Sequence, residues 1–133
     1  MPRSIDDLLA AARERYERVD ATTAAREQAE GAIVVDTRPE AYRRERGEIP
    51  GALTIGLDVL EWHLDPQSEW KEPEIVDHDV RVILLCREGY SSSLAVGRLL
   101  DLGLHRATDV IDGVDGWVRA GLPLEPWPED GSS

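Results

Sequence analysis

Arg81-Val82-Ile83-Leu84-Leu85-Cys86-Arg87-Glu88-Gly89-Tyr90-Ser91-Ser92-Ser93 decides how this chain is read. Val82 to Leu85 are consecutive apolar residues, two of them β-branched, the pattern of a strand buried on both faces inside a parallel sheet. Cys86, the only cysteine, follows at once; then come a polar loop with a single glycine and a helical run, Leu94 to Leu102, closing at Gly103. Strand, tight loop and helix place Cys86 at the carboxyl end of a strand and beneath a helix N-terminus, where unpaired N–H groups favour anions. A thiol there ionises more easily than in water, so Cys86 reads as a nucleophile rather than an inert core residue.

The loop has the means to hold an ionised sulfur. Gly89 permits the positive φ that lets successive N–H groups curl inward, and the hydroxyls of Ser91 and Ser92 are further donors. Each donor aimed at an ionised acceptor contributes ~1.5–3 kcal/mol. The same nest suits a persulfide, Cys–S–S⁻.

Upstream, Ser4-Ile5-Asp6-Asp7 is a helix N-cap with an acid three residues on. Ile5, Leu8, Leu9, Ala12, Tyr16 and Val19 recur at helical spacing, which leaves Arg13, Glu14, Glu17 and Arg18 for water. A second helix spans Thr23 to Glu30, with room for a very short edge strand between Arg18 and Ala21. Ala32 to Asp36 is another buried-type strand that ends on an acid, and Pro39 opens a helix reaching Arg46. A turn at Gly47 to Gly51 feeds a short strand, Ala52 to Ile55; a short helix follows at Leu57 to Leu64, then a polar loop from Asp65 to Asp79. Downstream come a strand at Thr108 to Ile111, a turn at Gly113 to Gly116, one helical turn at Trp117 to Ala120 and a proline-marked tail. Strands alternating with helices imply an α/β parallel sheet with right-handed crossovers.

Composition narrows the function. The 133 residues suit one core, and 15 basic against 27 acidic residues give a net charge of −12, which argues against binding nucleic acid or anionic membrane. One cysteine excludes an internal disulfide and fits a reducing compartment, so the cytoplasm is the expected location. His63, His78 and His105 read as surface or capping residues, and no pair has metal spacing with Cys86. Trp62-His63 lies where it can line a pocket mouth, and Trp117 reads as core. Asp36 and Arg38 flank the carboxyl end of the strand neighbouring Cys86; they either support the site or form an internal salt bridge, the second being preferred.

Four landmarks in order, Val35-Asp36-Thr37-Arg38, Gly47-Glu48-Ile49-Pro50-Gly51-Ala52, Cys86-Arg87-Glu88-Gly89-Tyr90-Ser91 and Gly116-Trp117 through Gly121-Leu122-Pro123, resemble a single-domain rhodanese over residues 19–124. The resemblance implies a five-stranded parallel sheet flanked by helices on both faces, with residues 1–18 as an N-terminal helix and 125–133 as an extended tail. It implies a sulfurtransferase that moves a sulfane sulfur from a thiosulfate-like donor through a Cys86 persulfide to cyanide, a thiol or a protein cysteine. Arg87, Glu88, Gly89, Tyr90, Ser91 and Ser92 would bind substrate and persulfide, with Asp36 and Arg38 in support; no metal or other cofactor is implied. Glu88 replaces the lysine of the two-domain thiosulfate enzymes, Ser91 stands where many single-domain members have arginine, and Glu48 where most have histidine. These departures keep open a catalytically weak or inactive binding module on the same scaffold. A phosphatase of the related fold needs an arginine where Ser92 stands.

Overall fold

The computed structural model describes residues 1–128. Two apolar runs organise it. Strand β1 (Ile33–Asp36) lies parallel to β3 (Val82–Leu85), with Ile33 opposite Val82 and Asp36 opposite Leu85. Strand β2 (Leu53–Thr54) joins the free edge of β1, and β4 (Thr108–Asp109) joins β3, giving the all-parallel order β2-β1-β3-β4.

Period-two alternation sends neighbouring strand residues into two cores. Val35, Val82 and Leu84 pack with Leu60 and Leu64 of α4 (Leu60–Leu64) and with Ala95, Val96 and Leu99 of α5 (Ser91–Asp101). Val34, Ile83 and Leu85 face the other way, onto Ala21 and Ala24 of α2 (Ala21–Ala29) and onto Val114 and Trp117 of α6 (Gly113–Arg119). Both faces are covered, which is why β3 is apolar throughout.

Among the described residues four strands form, not the five expected. The segment before α2 contributes a single bridge, Val19 beside Val110, with Val19 N–H on the Asp109 carbonyl at 3.2 Å and Ile111 N–H on the Val19 carbonyl at 2.9 Å. It goes no further because Asp20 turns at once to cap α2, its carboxylate accepting the Thr23 N–H at 2.8 Å.

The first helix, α1 (Ile5–Arg13), has the expected capping box between Ser4 and Asp7 but stops short of Tyr16 and Val19. Ile5 and Leu8 remain exposed and only Leu9 is buried. The inner face of α1 lies on α5, where Gly97 has no side chain to hold Ala12 and Arg15 away, and Arg15 donates to the Gly97 carbonyl at 3.2 Å.

Helix α6 begins four residues earlier than its apolar residues suggest, because Asp112 takes a left-handed φ of 64° and Gly113 one of 56°, which turns the chain straight from β4 into helix. Helix α3 (Glu40–Arg46) follows Pro39 as predicted, but α4 is shorter than expected, Leu57 to Val59 being a turn. Trp117 is core, and its indole N–H donates to the Pro123 carbonyl at 2.9 Å. That bond leads the tail back to Glu48, which pairs antiparallel with Glu125. The tail residues 129–133 lie outside the described residues. No helix among the described residues is long and apolar enough to cross a membrane.

Leu99 is fully sealed between α5 and the sheet. Leu99→Ala is expected to cost about 2–5 kcal/mol, read as a lower urea midpoint at unchanged slope.

Candidate active site

Cys86 follows the last residue of β3 and points beneath the first turn of α5. No side chain caps that helix, so its leading N–H groups are free to face the thiol. The Gly89 N–H donates to Cys86 Sγ at 3.1 Å, and the thiol lies 3.3 Å from Ser92 Oγ. Burial pushes the thiol pKa up, but the hydroxyls of Ser92 and Ser91 and the N–H groups of Ser92 and Gly89 outweigh it and hold Cys86 below the ordinary value. Among the described residues, no protein acceptor takes the N–H of Arg87, Glu88, Tyr90 or Ser91. The loop therefore carries unspent N–H donors in residues flanking a buried sulfur.

The loop is built against α6. Val114 N–H donates to the Cys86 carbonyl at 2.9 Å and Asp115 N–H to the Arg87 carbonyl at 3.2 Å. A Cβ on Gly113 would collide with the Cys86 carbonyl, so glycine is required there for space as well as for φ. Gly89, at φ 92°, would bring a Cβ to 2.9 Å from the Asp112 nitrogen.

Above the sulfur opens a cavity of about 430 Å³, lined by Thr37, Pro39, Tyr42, Leu57, Cys86 and Arg87 among others. Its walls are largely apolar, and Arg87 sits at its edge with the guanidinium 4.7 Å above the Tyr42 ring and Nη1 3.1 Å from the Tyr42 hydroxyl. A larger cavity, about 600 Å³, opens at the amino-terminal end of the sheet beside Gly31 and Arg106, with no nucleophile in its lining. The Cys86 cavity is where the chemistry can occur, at the carboxyl ends of the strands.

The residues singled out from the sequence are placed as follows. Gly89, Ser91 and Ser92 converge on Cys86, Ser91 through its hydroxyl. Glu88 and Tyr90 are exposed, and neither is among the residues that line the cavity. Asp36 and Arg38 form the internal pair: Arg38 Nη2 is 2.8 Å from Asp36 Oδ2 and 2.8 Å from the Gly47 carbonyl, both side chains being buried. That tie holds β1 to the turn before β2, and Arg38 also lines the Cys86 cavity. Trp62 stands away from this mouth, in a shallow pocket with Ser68 and Leu102, and His63 pairs with Glu72 at 2.7 Å. Glu48, in the place of the family's histidine, pairs with Arg43 at 2.7 Å.

Sequence reasoning missed Asp109. Its carboxylate is fully buried at the end of β4, accepts the Ser92 and Ser93 hydroxyls at 2.8 and 2.7 Å, and pairs with Arg18 at 2.9 Å. Asp109 holds Arg18 charged against the cost of burial. The only signal was an acid inside an otherwise apolar strand, Thr108 to Ile111.

Known proteins agree with this architecture. The chain is 35% identical to thiosulfate sulfurtransferase GlpE of Actinobacillus succinogenes over 98 residues, covering 74% of this chain and 79% of that one. Among solved structures, a Rhodopseudomonas palustris protein of unknown function, described as a possible tyrosine phosphatase, superposes with a TM-score of 0.84 at 28% identity, covering 94% of this chain and 96% of that one. A rhodanese-related protein of Thermoplasma volcanium gives a TM-score of 0.63 at 25% identity, covering 82% and 97%. A profile of the rhodanese-like domain matches residues 20–120, and with a parallel α/β sheet and a buried cysteine under a helix N-terminus behind it, the chain belongs to the rhodanese-like domain family.

Proposed function

We propose that the protein is a sulfurtransferase in which Cys86 carries a sulfane sulfur. The observation that carries this reading is the surroundings of the thiol: the Gly89 N–H donates to Sγ, the Ser92 hydroxyl lies 3.3 Å from it, and neighbouring loop N–H groups are unspent. The name of the GlpE relative supports it.

With thiosulfate as donor, the Cys86 thiolate attacks the outer sulfur. A sulfur–sulfur bond forms to Sγ, the bond to the sulfonate sulfur breaks, and sulfite leaves with its electron pair. The terminal sulfur of the resulting persulfide is anionic and takes up the free N–H groups of the loop. A nucleophilic acceptor, cyanide or a thiolate, then attacks that sulfur, and the Cys86 thiolate departs unchanged. The chain has no second cysteine, so an acceptor thiol comes from a small molecule or another protein, in keeping with a cytoplasmic location.

Arg87 is the cation at the cavity edge and attracts an anionic donor; Glu88 beside it opposes that attraction within a Debye length of about 8 Å. Gly89, Ser91 and Ser92 hold the sulfur, Tyr90 covers the helix start, and Asp36 with Arg38 fixes the neighbouring strand end. A phosphatase reading is disfavoured because Ser92 stands where such loops carry an arginine, with the Asp109 carboxylate directly behind it.

Incubation with thiosulfate is expected to add the mass of one sulfur to the intact wild-type chain, removable by cyanide, and to leave Cys86→Ala unchanged. Wild type that stays unmodified by thiosulfate, polysulfide and mercaptopyruvate would sink this reading and favour a binding module. The lowered Cys86 pKa sets the pH dependence. The thiolate is present above that pKa, so alkylation and sulfur loading fall as pH drops through the lowered value, with a midpoint below that of an ordinary cysteine.

A further inference from the structure

The segment that precedes the family match was expected to turn Arg13 and Arg18 to water. It turns them inward. Arg13 Nη2 donates to the Gly89 carbonyl at 2.7 Å and its Nε to Ser93 Oγ at 2.9 Å. Arg18 Nη2 reaches the same carbonyl at 3.0 Å, while its Nε meets Asp109 Oδ1 at 2.9 Å. Tyr16 OH adds a donor to that carboxylate at 2.9 Å.

We infer that Arg13 and Arg18, acting with buried Asp109, are positioning residues that clamp the Cys86 loop and set the donors its sulfur meets. The geometry runs through two groups. Gly89 has its N–H on the sulfur and its carbonyl between two guanidiniums, so charge-assisted bonds on one side fix the angle of the donor on the other. Ser92 has one hydroxyl hydrogen and two neighbours, Asp109 at 2.8 Å and Cys86 Sγ at 3.3 Å. While the thiol is protonated, that hydrogen lies on Asp109 and the oxygen accepts from sulfur. When the thiol ionises, the hydrogen turns to the sulfur, and Ser93, Tyr16 and Arg18 keep Asp109 satisfied. The rhodanese-like match begins at residue 20, so both arginines lie outside the matched domain.

The chemistry of the clamp rests on the sulfur-carrier reading, but its first readout does not. Arg13→Gln and Arg13→Lys are compared with wild type by thiolate absorbance against pH, alkylation rate over the same pH range and urea midpoint. Arg15→Gln is the control, because Arg15 ties the same segment to α5 through Gly97 and Asp101 without touching the loop. The other charges facing the loop stay in place in every variant: Arg87 and Glu88 on it, the Asp36–Arg38 pair, Asp58 across the cavity, and Asp112 and Asp115 at α6. Arg13→Gln is expected to raise the Cys86 ionisation midpoint by at least about half a unit and, at pH below that midpoint, where reactivity follows the thiolate fraction, to slow alkylation about threefold. Arg13→Lys, which keeps the charge and one donor, recovers part of that loss, and Arg15→Gln leaves the midpoint where it was. An unmoved midpoint in Arg13→Gln, or in Arg13→Lys should the glutamine variant unfold, overturns the clamp; so does an equal shift in Arg15→Gln, which would trace the effect to helix docking. If wild type takes no sulfur yet Arg13→Gln moves the midpoint, the function reading falls and the clamp stands.

Discussion

One buried carboxylate constrains everything around the thiol. Asp109 has no exposure and takes hydrogen bonds from Ser92, Ser93, Tyr16 and Arg18. An ionised group in that place is tolerable only while its partners are present, because removing one leaves an uncompensated charge in low dielectric. The requirement works in both directions. Asp109 needs Arg18 and the serines, and they are thereby held in one arrangement at the start of α5. The loop over Cys86 takes its shape from that demand as much as from its own residues.

The sheet supplies the other half. Parallel strands end together, so the turn after β1 and the loop after β3 open on the same edge, and α5 starts there with no side chain capping it. The Asp36–Arg38 pair closes the β1 end internally, while the β3 end is closed by hydrogen bonds from α6 to the carbonyls of Cys86 and Arg87. The Cys86, Arg87 and Gly89 carbonyls are thus taken, while the Gly89 N–H goes to the sulfur. That division is how a small polar loop keeps donors for an anion without leaving buried carbonyls unpaired.

Charge at the cavity edge is mixed, with Arg87 and Asp58 both in its lining. The chain is strongly acidic, yet Arg87 is held at the cavity edge by the face and hydroxyl of Tyr42, with Glu88 exposed beside it. A cation stacked on an aromatic ring keeps its charge while losing freedom, which favours recognition of a planar or compact anion over bulk attraction. Pro39, Tyr42 and Leu57 provide apolar walls, beside the polar side chains of Thr37, Arg38, Asp58 and Ser91.

Much of this was legible from local pattern. The apolar run Val82 to Leu85, the glycine three residues after Cys86 and the helix that follows are short-range features, and each formed where spacing placed it. The parallel α/β class, the burial of Trp117 and the Ser4 capping box were readable for the same reason. Tertiary structure alone decided that the fifth strand shrinks to Val19, that α6 starts at a left-handed Asp112, and that Arg13, Arg18 and Asp109 meet behind the loop. Helical periodicity assigns a charged residue to solvent by default; a partner 71 to 91 positions away along the chain overrides that default only once the sheet has brought them together. A carboxylate and a guanidinium so far apart in sequence carry no shared pattern, and folding, not composition, makes them neighbours.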